Sequence, residues 1–303
     1  MRIETIYRER LQGMLRKTFS LWERLGVHVT PNHFYQPIPD TRSISEELWR
    51  KPSELPGVRM REDAQLDLLA QMSARFRDEY DAFAREKTSV PHQYHLENDQ
   101  FNSVDAEMLH CMIRHFKPAR VFEIGSGNST YVAANAALMN HAQSGHACEL
   151  VAFEPYPNEV LEAGFPGLTR LVRAKIQDVP LSEFELLGEN DILFIDSSHV
   201  LKIGSDVQYE FLEVLPRLRP GVVVHVHDIF LPAEYPRKWV MEDRRFWTEQ
   251  YLLQAFLAFN DSFEVLWGGS YMHLRHPDKL EAAFNSYDSR RNWPGSFWMR
   301  KTR

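Results

Sequence analysis

Val121–Thr130, which reads Val-Phe-Glu-Ile-Gly-Ser-Gly-Asn-Ser-Thr, is the stretch that decides the fold of this chain. A short apolar run ends at two closely spaced glycines, and a segment that can form a helix follows. The first glycine, Gly125, allows a sharp turn, and the second, Gly127, lets a ligand approach the backbone without meeting a Cβ atom. The N–H groups that open the helix then face the same crevice. The stretch therefore predicts a ligand-binding turn between a strand and a helix.

Short apolar segments and helical segments alternate on both sides of this turn. Further strands are predicted at Glu149–Glu154, Leu171–Ala174, Asp191–Asp196 and Val222–Val226, beside a first strand at Arg120–Ile124. Continuous Val, Ile, Leu and Phe are typical of strands covered on both faces, and hence of a parallel sheet between two layers of helices. The fold class is therefore α/β, with a doubly wound, mostly parallel sheet.

The later segments extend this pattern. Helices are predicted from Ser103, as the capping residue, to Phe116, and at Ser129–Met139, Ser205–Leu218 and Phe246–Phe259. Two last strands are predicted at Glu264–Trp267 and Ser296–Arg300, the second antiparallel if it returns beside the first.

The first hundred residues have a different character. Apolar residues recur at helical spacing from Ile3 to Leu25, prolines interrupt residues 27–58, and a second helical face runs from Leu66 to Phe83. We expect a helical N-terminal cap over residues 1–100 and a ligand-binding domain over residues 101–303. A substrate lid and a contact between subunits of a homo-oligomer are the two alternatives for the cap.

Composition narrows the classes of function. The 303 residues carry a net charge of -7, which disfavours nucleic acid and anionic membranes as partners. No apolar run approaches the length of a transmembrane helix, and Met1–Glu23 has no signal-peptide core. The two cysteines, Cys111 and Cys148, lie in apolar segments, as reduced buried thiols do. These features predict a cytoplasmic protein that acts on a small molecule.

The residues around the glycines indicate which ligand binds there. Nucleotide-binding oxidoreductases have a third glycine, which contributes to their pyrophosphate site, but Thr130 occupies that place here. Glu123, two residues before the first glycine, would repel a pyrophosphate and attract a ligand that carries an ammonium group. We therefore predict that Glu123, Gly125, Ser126 and Gly127 bind a cationic cofactor.

Acidic residues also follow the next two strands. Glu154, at the end of the second strand, can accept hydrogen bonds from both hydroxyls of a ribose. Asp178, after the third strand, is placed to meet an adenine edge, although an ordinary turn aspartate is an equally good interpretation.

A second polar group follows the fourth and fifth strands. Asp196 and His199 come after the fourth strand, and His227 and Asp228 after the fifth. If these strands are neighbours, two interpretations remain open. Asp196, His227 and Asp228 could bind a divalent metal, or His199 or His227 could act as a general base. His225 alternates onto the same face as His227 but is interpreted as a packed sheet histidine.

In order and spacing, the segments Glu-Ile-Gly-Ser-Gly, Phe-Glu154-Pro and Asp191-x-x-x-Ile-Asp196 resemble those of class I S-adenosylmethionine-dependent methyltransferases. The resemblance implies that the glycine turn binds the methionine part of the cofactor, that Glu154 binds its ribose and that Asp196 adjoins it. The chain also resembles the small-molecule O-methyltransferases of the catechol and macrolide-sugar type, many of which hold Mg²⁺. Their Asp-Asn pair is His227-Asp228 here, which leaves the metal and its ligands open.

The expected function is therefore methyl transfer to a hydroxyl of a small molecule, such as a sugar or other natural product. Asp196, His199 and His227 are the candidate catalytic residues. A metal-dependent hydroxylase or hydrolase, a nucleotide-cofactor oxidoreductase and a non-catalytic binding protein are the alternatives.

Overall fold

The computed structural model describes residues 2–303, and side chains from residue 11 onward. The first side chains of the predicted N-terminal face, Ile3 among them, lie outside this part. Within the described residues, no helix is both long enough and apolar enough to cross a membrane. Both thiols are free, with Cys111 buried and Cys148 half-buried.

A seven-stranded sheet organises the fold. Its strands are β1 (Arg120–Ile124), β2 (Glu149–Phe153), β3 (Arg170–Val172), β4 (Ile192–Ile195), β5 (Val223–Val226), β6 (Phe263–Gly268) and β7 (Phe297–Lys301). Their order across the sheet is β3-β2-β1-β4-β5-β7-β6. The first five strands are parallel, and β7 runs antiparallel between β5 and β6. The predicted doubly wound, mostly parallel α/β fold is confirmed.

The described residues also form helices of two sizes. The longer ones are α1 (Arg2–Arg24), α3 (Glu62–Tyr80), α4 (Asp105–Phe116), α5 (Asn128–Ser144) and α11 (Glu249–Leu257). The shorter ones are α2 (Glu47–Arg50), α6 (Glu159–Ala163), α7 (Leu181–Phe184), α8 (Asp206–Tyr209), α9 (Leu215–Arg217), α10 (Arg237–Met241), α12 (Gly269–Arg275) and α13 (Pro277–Ala283). Every residue of β4 and β5 is buried, because helices and loops cover both faces.

Two predicted helices differ in the structure. The helix expected over Ser205–Leu218 is present from Asp206 to Arg217, but a π-helical turn at Glu210–Val214 lies between α8 and α9. Pro216 lies just after this turn; it lacks an N–H donor and its ring would clash with the carbonyl four residues earlier in a regular α-helix. Ser103 does not cap α4: its hydroxyl lies 2.7 Å from the Ser286 hydroxyl, and the helix begins at Asp105.

The chain divides into two compact units. One contains the residues up to Lys51 together with Pro236–Phe246, and the other contains Pro52–Tyr235 and Trp247–Arg303. The second unit holds all seven strands and also α3. The domain boundary expected near residue 100 stays a prediction.

Candidate active site

The site lies where the order of the strands reverses. Successive parallel strands run from β1 toward β3 on one side and through β4 to β5 on the other, which places a crevice outside the ends of β1 and β4. Gly125 follows β1 and has a φ of +76°. A Cβ atom on Gly125 would lie 1.9 Å from the carbonyl oxygen of Asp196, so only glycine fits between the two strand ends.

The second glycine of the turn has a different environment. A Cβ atom on Gly127 would have the Gln100 Oε1 atom, at 3.9 Å, as its nearest neighbour. The Gly127 N–H donates to the hydroxyl of Thr130 at 2.9 Å, so Thr130 closes the turn where a third glycine stands in dinucleotide sites. The space beside Gly127 is open for a ligand to approach.

Glu123 is buried directly below this turn. Its Oε1 atom accepts a 2.6 Å hydrogen bond from the Ser129 hydroxyl, while Oε2 has no partner in the described part of the chain. Burial raises the pKa of Glu123 to about 8, although hydrogen bonds from Ser129 and Thr130 oppose this. The buried Ser126 hydroxyl is also unpartnered among the described residues. Unsatisfied buried polar atoms are costly, so both fit contacts to a polar ligand.

The next acid along the sheet is tied to the same turn. Glu154 follows β2, and its Oε2 atom accepts a hydrogen bond from the Ser126 N–H at 3.2 Å. Its Oε1 atom accepts from the Tyr156 N–H at 2.8 Å, so the carboxylate is held at the rim of the crevice. Asp178 is exposed in a short 3₁₀ helix, Ile176–Asp178, after β3.

Four side chains converge after β4 and β5, and we call them the His-Asp cluster: Asp196, His199, His227 and Asp228. Asp196 Oδ1 lies 3.3 Å from His199 Nε2 and 3.5 Å from His227 Nδ1. Asp228 Oδ2 lies 3.6 Å from His199 Nε2, and Asp228 Oδ1 lies 3.8 Å from His227 Nδ1.

The backbone directs part of this cluster inward. His199 and Asp228 have φ values of +60° and +55°, in the left-handed region that non-glycine residues rarely adopt. Such conformations cost about 1–3 kcal/mol each and persist where the surrounding structure holds them. The peptide N–H groups of Thr248 and Glu249 donate to the His199 carbonyl at 2.9 and 3.2 Å, which anchors the loop to the start of α11.

A further carboxylate stands behind each histidine. Glu249, the first residue of α11, lies 2.9 Å from His199 Nδ1 through Oε2, and its side chain is almost fully buried. Asp105, the first residue of α4, lies 3.4 Å from His227 Nε2. The Asp105 carboxylate accepts hydrogen bonds from the Gly295 and Ser296 N–H groups, at 2.9 Å each. Asp105 and Glu249 are not predictable from the sequence, because nothing in their local segments distinguishes them from ordinary first-turn acids.

Opposite charges control the protonation of the cluster. Burial alone would lower the pKa of His199, but hydrogen bonds to Asp196 and Glu249 outweigh it and raise that pKa to about 10. Burial also opposes the charged form of His227, whereas the charges of Asp196 and Asp228 hold its pKa well above the usual range. Burial disfavours the charged form of Asp196 as well, but His227 and His199 hold its pKa well below normal.

His225 is separate from this chemistry. It is fully buried within the sheet, its Nε2 atom lies 2.9 Å from the Ser296 hydroxyl, and its ring stacks on Phe194 at 4.0 Å. Burial lowers its pKa well below the usual value, so it is neutral. The interpretation of His225 as a packed sheet histidine is confirmed.

Parts of this chain are similar to known proteins. An uncharacterized protein of Archaeoglobus fulgidus is 31% identical over 180 residues, which cover 57% of this chain and 80% of that protein. A family model described as a methyltransferase domain matches residues 122–229, from β1 to just past β5. Residues 122–229 of the chain therefore form a methyltransferase domain.

The methyltransferase is also similar to solved structures. An O-methyltransferase from Bacillus cereus, in complex with SAH, is 16% identical with a TM-score of 0.36, over 80% of this chain and 91% of that chain. The MycE methyltransferase of the mycinamycin biosynthetic pathway, in complex with Mg, SAH and mycinamycin VI, is 13% identical with a TM-score of 0.37. That match covers 78% of this chain and 54% of MycE.

The family match favours methyl transfer over the oxidoreductase, hydroxylase or hydrolase and non-catalytic alternatives. The roles of individual residues in binding the cofactor, the proton or a metal stay predictions.

Proposed function

We propose that the methyltransferase transfers the methyl group of S-adenosylmethionine to a hydroxyl of a small-molecule acceptor. One observation carries this proposal: the His-Asp cluster lies beside the glycine turn, Gly125–Gly127, to which we assign the cofactor. The close approach of Gly125 to the Asp196 carbonyl oxygen joins the two sites. A hydroxyl over the cluster would therefore lie within reach of the reactive methyl group.

The cofactor half of the site rests on three groups. The unpartnered Glu123 and Ser126 atoms suit the charged methionine end of the cofactor, and the Glu154 carboxylate suits its ribose hydroxyls. We retain Asp196 as a neighbour of the cofactor. Asp178 is the candidate contact to adenine, and its exposure leaves it free to bind.

The reaction is a displacement at carbon. The hydroxyl oxygen attacks the methyl carbon, the bond from sulfur to methyl breaks, and its electron pair stays on sulfur, giving neutral S-adenosylhomocysteine. The hydroxyl proton has to leave, because a protonated ether is a poor product. A hydroxyl needs more help with this proton than an amine does, so a buried cluster of carboxylates and imidazoles favours oxygen as the acceptor atom.

The donors of the cluster fit a divalent cation. Asp105, Asp196, Asp228 and Glu249 surround two imidazole rings, so the carboxylates outnumber the rings that can compensate their charge. Asp196, His227 and Asp228 each offer one donor atom, and these atoms lie within 4.8 Å of one another. A bound cation supplies Lewis acidity, which lowers the pKa of a nearby hydroxyl. The alternative role for His199 or His227 is that of a general base, which requires the ring first to lose the proton that the surrounding carboxylates stabilise.

The test combines binding and turnover. Calorimetry with S-adenosylmethionine and S-adenosylhomocysteine should show binding of both, and Glu154→Ala should weaken both. Release of S-adenosylhomocysteine is then measured with matched acceptors that carry either a hydroxyl or an amine. Turnover confined to hydroxyl acceptors supports the proposal, and turnover confined to amines overturns the choice of oxygen. Absence of cofactor binding overturns it altogether.

A further inference from the structure

The His-Asp cluster brings two imidazole nitrogens against two carboxylates. His199 Nε2 and His227 Nδ1 both face the carboxylates of Asp196 and Asp228, at 3.3 to 3.8 Å. The other nitrogen of each ring faces a different carboxylate, Glu249 or Asp105. Each imidazole is therefore turned so that one ring nitrogen points toward Asp196 and Asp228.

Three of these groups already lie close enough to share one ion. Asp196, His227 and Asp228 each offer one donor atom, and these atoms lie within 4.8 Å of one another. His199 borders the same two carboxylates, since its Nε2 atom lies 3.3 Å from Asp196 Oδ1 and 3.6 Å from Asp228 Oδ2.

We propose that the methyltransferase binds a zinc-class transition-metal ion, rather than Mg²⁺, with His199 as a fourth ligand beside Asp196, His227 and Asp228. This inference rests on the proposed function for the location of the ion and adds its chemical class and its ligand set. Imidazole nitrogen suits zinc and its transition-metal neighbours, whereas Mg²⁺ prefers carboxylate, carbonyl and water oxygens. Two imidazoles in a set of four donors therefore select against Mg²⁺.

The buried carboxylates behind the rings support this ligand set. Metal-binding histidines commonly donate their second N–H to a carboxylate, which fixes the tautomer and makes the other nitrogen a better ligand. The 2.9 Å contact between Glu249 Oε2 and His199 Nδ1 has this arrangement. Asp105, held by the backbone N–H groups of Gly295 and Ser296, also lies behind His227, at 3.4 Å from Nε2 but without the alignment of a hydrogen bond. Glu249 and Asp105 are positioning residues that act through the histidines.

The side chains also leave a side of the site open. Asp196 and Asp228 keep 28% and 17% of their side-chain surface exposed, while His199 and His227 keep 8% and 6%. The approach to the ion is therefore from the carboxylate side, which faces the crevice. Zinc sites can add a fifth ligand during a reaction, so four protein donors do not prevent a substrate oxygen from entering.

The experiment measures metal binding without turnover. The full-length protein is freed of metal by a chelator and titrated with Zn²⁺ and, separately, with Mg²⁺ in a calorimeter. We expect one Zn²⁺ per chain, bound on the order of 100-fold or more tightly than Mg²⁺. The Co²⁺ form should show the intense visible absorption of a four-coordinate ion, not the weak absorption of a six-coordinate one.

Variants test the ligand set. His199→Ala should lose the Co²⁺ absorption, and Glu249→Gln should weaken Zn²⁺ binding by roughly 10- to 100-fold. His141→Ala, which removes an exposed histidine on α5, is the matched control and should leave both unchanged. Binding of S-adenosylhomocysteine by each variant shows that it is folded.

Two results overturn the inference: Mg²⁺ bound as tightly as Zn²⁺, or a Co²⁺ spectrum unchanged in His199→Ala. Failure of the proposed function has a different signature, because loss of S-adenosylhomocysteine binding or of hydroxyl methylation is measured independently of the metal. Zinc binding without hydroxyl methylation would therefore support the ligand set and reject the acceptor.

Discussion

At the scale of single residues, the burial of Glu123 leads to a prediction about its proposed role in binding the cofactor. Its pKa of about 8 means that the carboxyl is largely protonated at neutral pH in the free protein. An ammonium group of the cofactor pairs with the carboxylate and not with the neutral acid. Binding should therefore release a proton near pH 7, and affinity for S-adenosylhomocysteine should rise as the pH increases from about 6 to 8.

Calorimetry in two buffers of different ionisation enthalpy measures this proton. Glu123→Gln should bind S-adenosylhomocysteine roughly 10- to 100-fold more weakly and release no proton. Glu149→Gln, a half-buried acid at the opposite end of β2, is the control and should behave like the wild type. Proton release that persists in Glu123→Gln would show that another group is responsible.

The two glycines of the turn make a second prediction at this scale. A Cβ atom on Gly125 would meet backbone atoms of Asp196 at 1.9 and 2.8 Å, and no side-chain movement can relieve that overlap. Gly125→Ala should lower the free energy of unfolding by about 3–5 kcal/mol. Gly127→Ala should change it by less than about 1 kcal/mol, since its backbone is extended and the space is open. Urea unfolding gives both values; equal losses would contradict the assigned geometry.

Some site residues can be predicted from the sequence and others cannot, for a physical reason. Asp196 and Asp228 were predictable because parallel strands bring their carboxyl ends to one edge of the sheet. Glu249 and Asp105 reach the same histidines from the first turns of α11 and α4, across large separations in sequence. Such contacts depend on how helices pack, which no local pattern contains.

At the scale of elements, one ionic group ties three helices together. Glu79 of α3 accepts hydrogen bonds from Arg114 of α4 at 2.7 and 2.8 Å and lies 2.8 Å from His110 Nε2. Arg114, which is 3% exposed, also donates to Asn140 and Gln143 of α5. Replacement of Glu79 therefore leaves a buried guanidinium without its carboxylate.

Glu79→Gln should lower the free energy of unfolding by about 2–3 kcal/mol at pH 7. Burial raises the pKa of Glu79, but His110 and Arg114 outweigh this and lower it to about 2, below the value of about 4.3 in an unfolded chain. The stabilisation is therefore complete above about pH 5 and is lost as the pH falls from about 4.3 toward 2. Urea unfolding of both proteins across this range, with chelator present, should show the difference shrinking.

Glu264→Gln provides the contrast, because the pair of Arg61 and Glu264 is far more exposed. Its loss should cost no more than about 1 kcal/mol. A difference between Glu79→Gln and the wild type that stayed constant down to pH 3 would contradict the assigned ion pairs.

The elements also show how far periodicity predicts a fold. All seven strands were predicted to within about one or two residues, because each is a short apolar run bounded by turn-forming residues. The helix predicted over Ser205–Leu218 is present, but periodicity does not predict the π-helical turn inside it, which Pro216 follows. That turn places the buried Glu210 carboxyl 3.1 Å from the Ser197 hydroxyl, a contact that helical periodicity does not specify.

At the scale of the whole molecule, the two compact units differ in what they contain. The second unit holds the sheet, the glycine turn at Gly125–Gly127 and the His-Asp cluster. Helix α3 belongs to this unit through five buried residues: Gln65, Leu69, Met72, Phe76 and Tyr80. The Tyr80 hydroxyl donates to the Ala283 carbonyl at 2.9 Å, and the Ser53 N–H donates to the Pro232 carbonyl at 2.8 Å. The stabilising interactions of this unit therefore begin close to residue 52.

Two truncations distinguish this boundary from one near residue 100. A chain of residues 52–303 keeps the whole of α3 and the surface it packs on, so it should fold and bind S-adenosylhomocysteine within a few-fold of the full-length affinity. A chain of residues 101–303 has no Glu79 to pair with Arg114, and the loss of this buried ion pair should lower the free energy of unfolding by about 3–5 kcal/mol. It also exposes the surface that α3 covers. Removal of each large buried apolar side chain of α3 costs a further 2–5 kcal/mol or so, and the sum exceeds the roughly 5–15 kcal/mol that typically stabilises a domain. The chain of residues 101–303 should therefore show no cooperative unfolding on heating and should not bind S-adenosylhomocysteine. Cooperative folding of residues 101–303 would instead establish residues 1–100 as a separable cap.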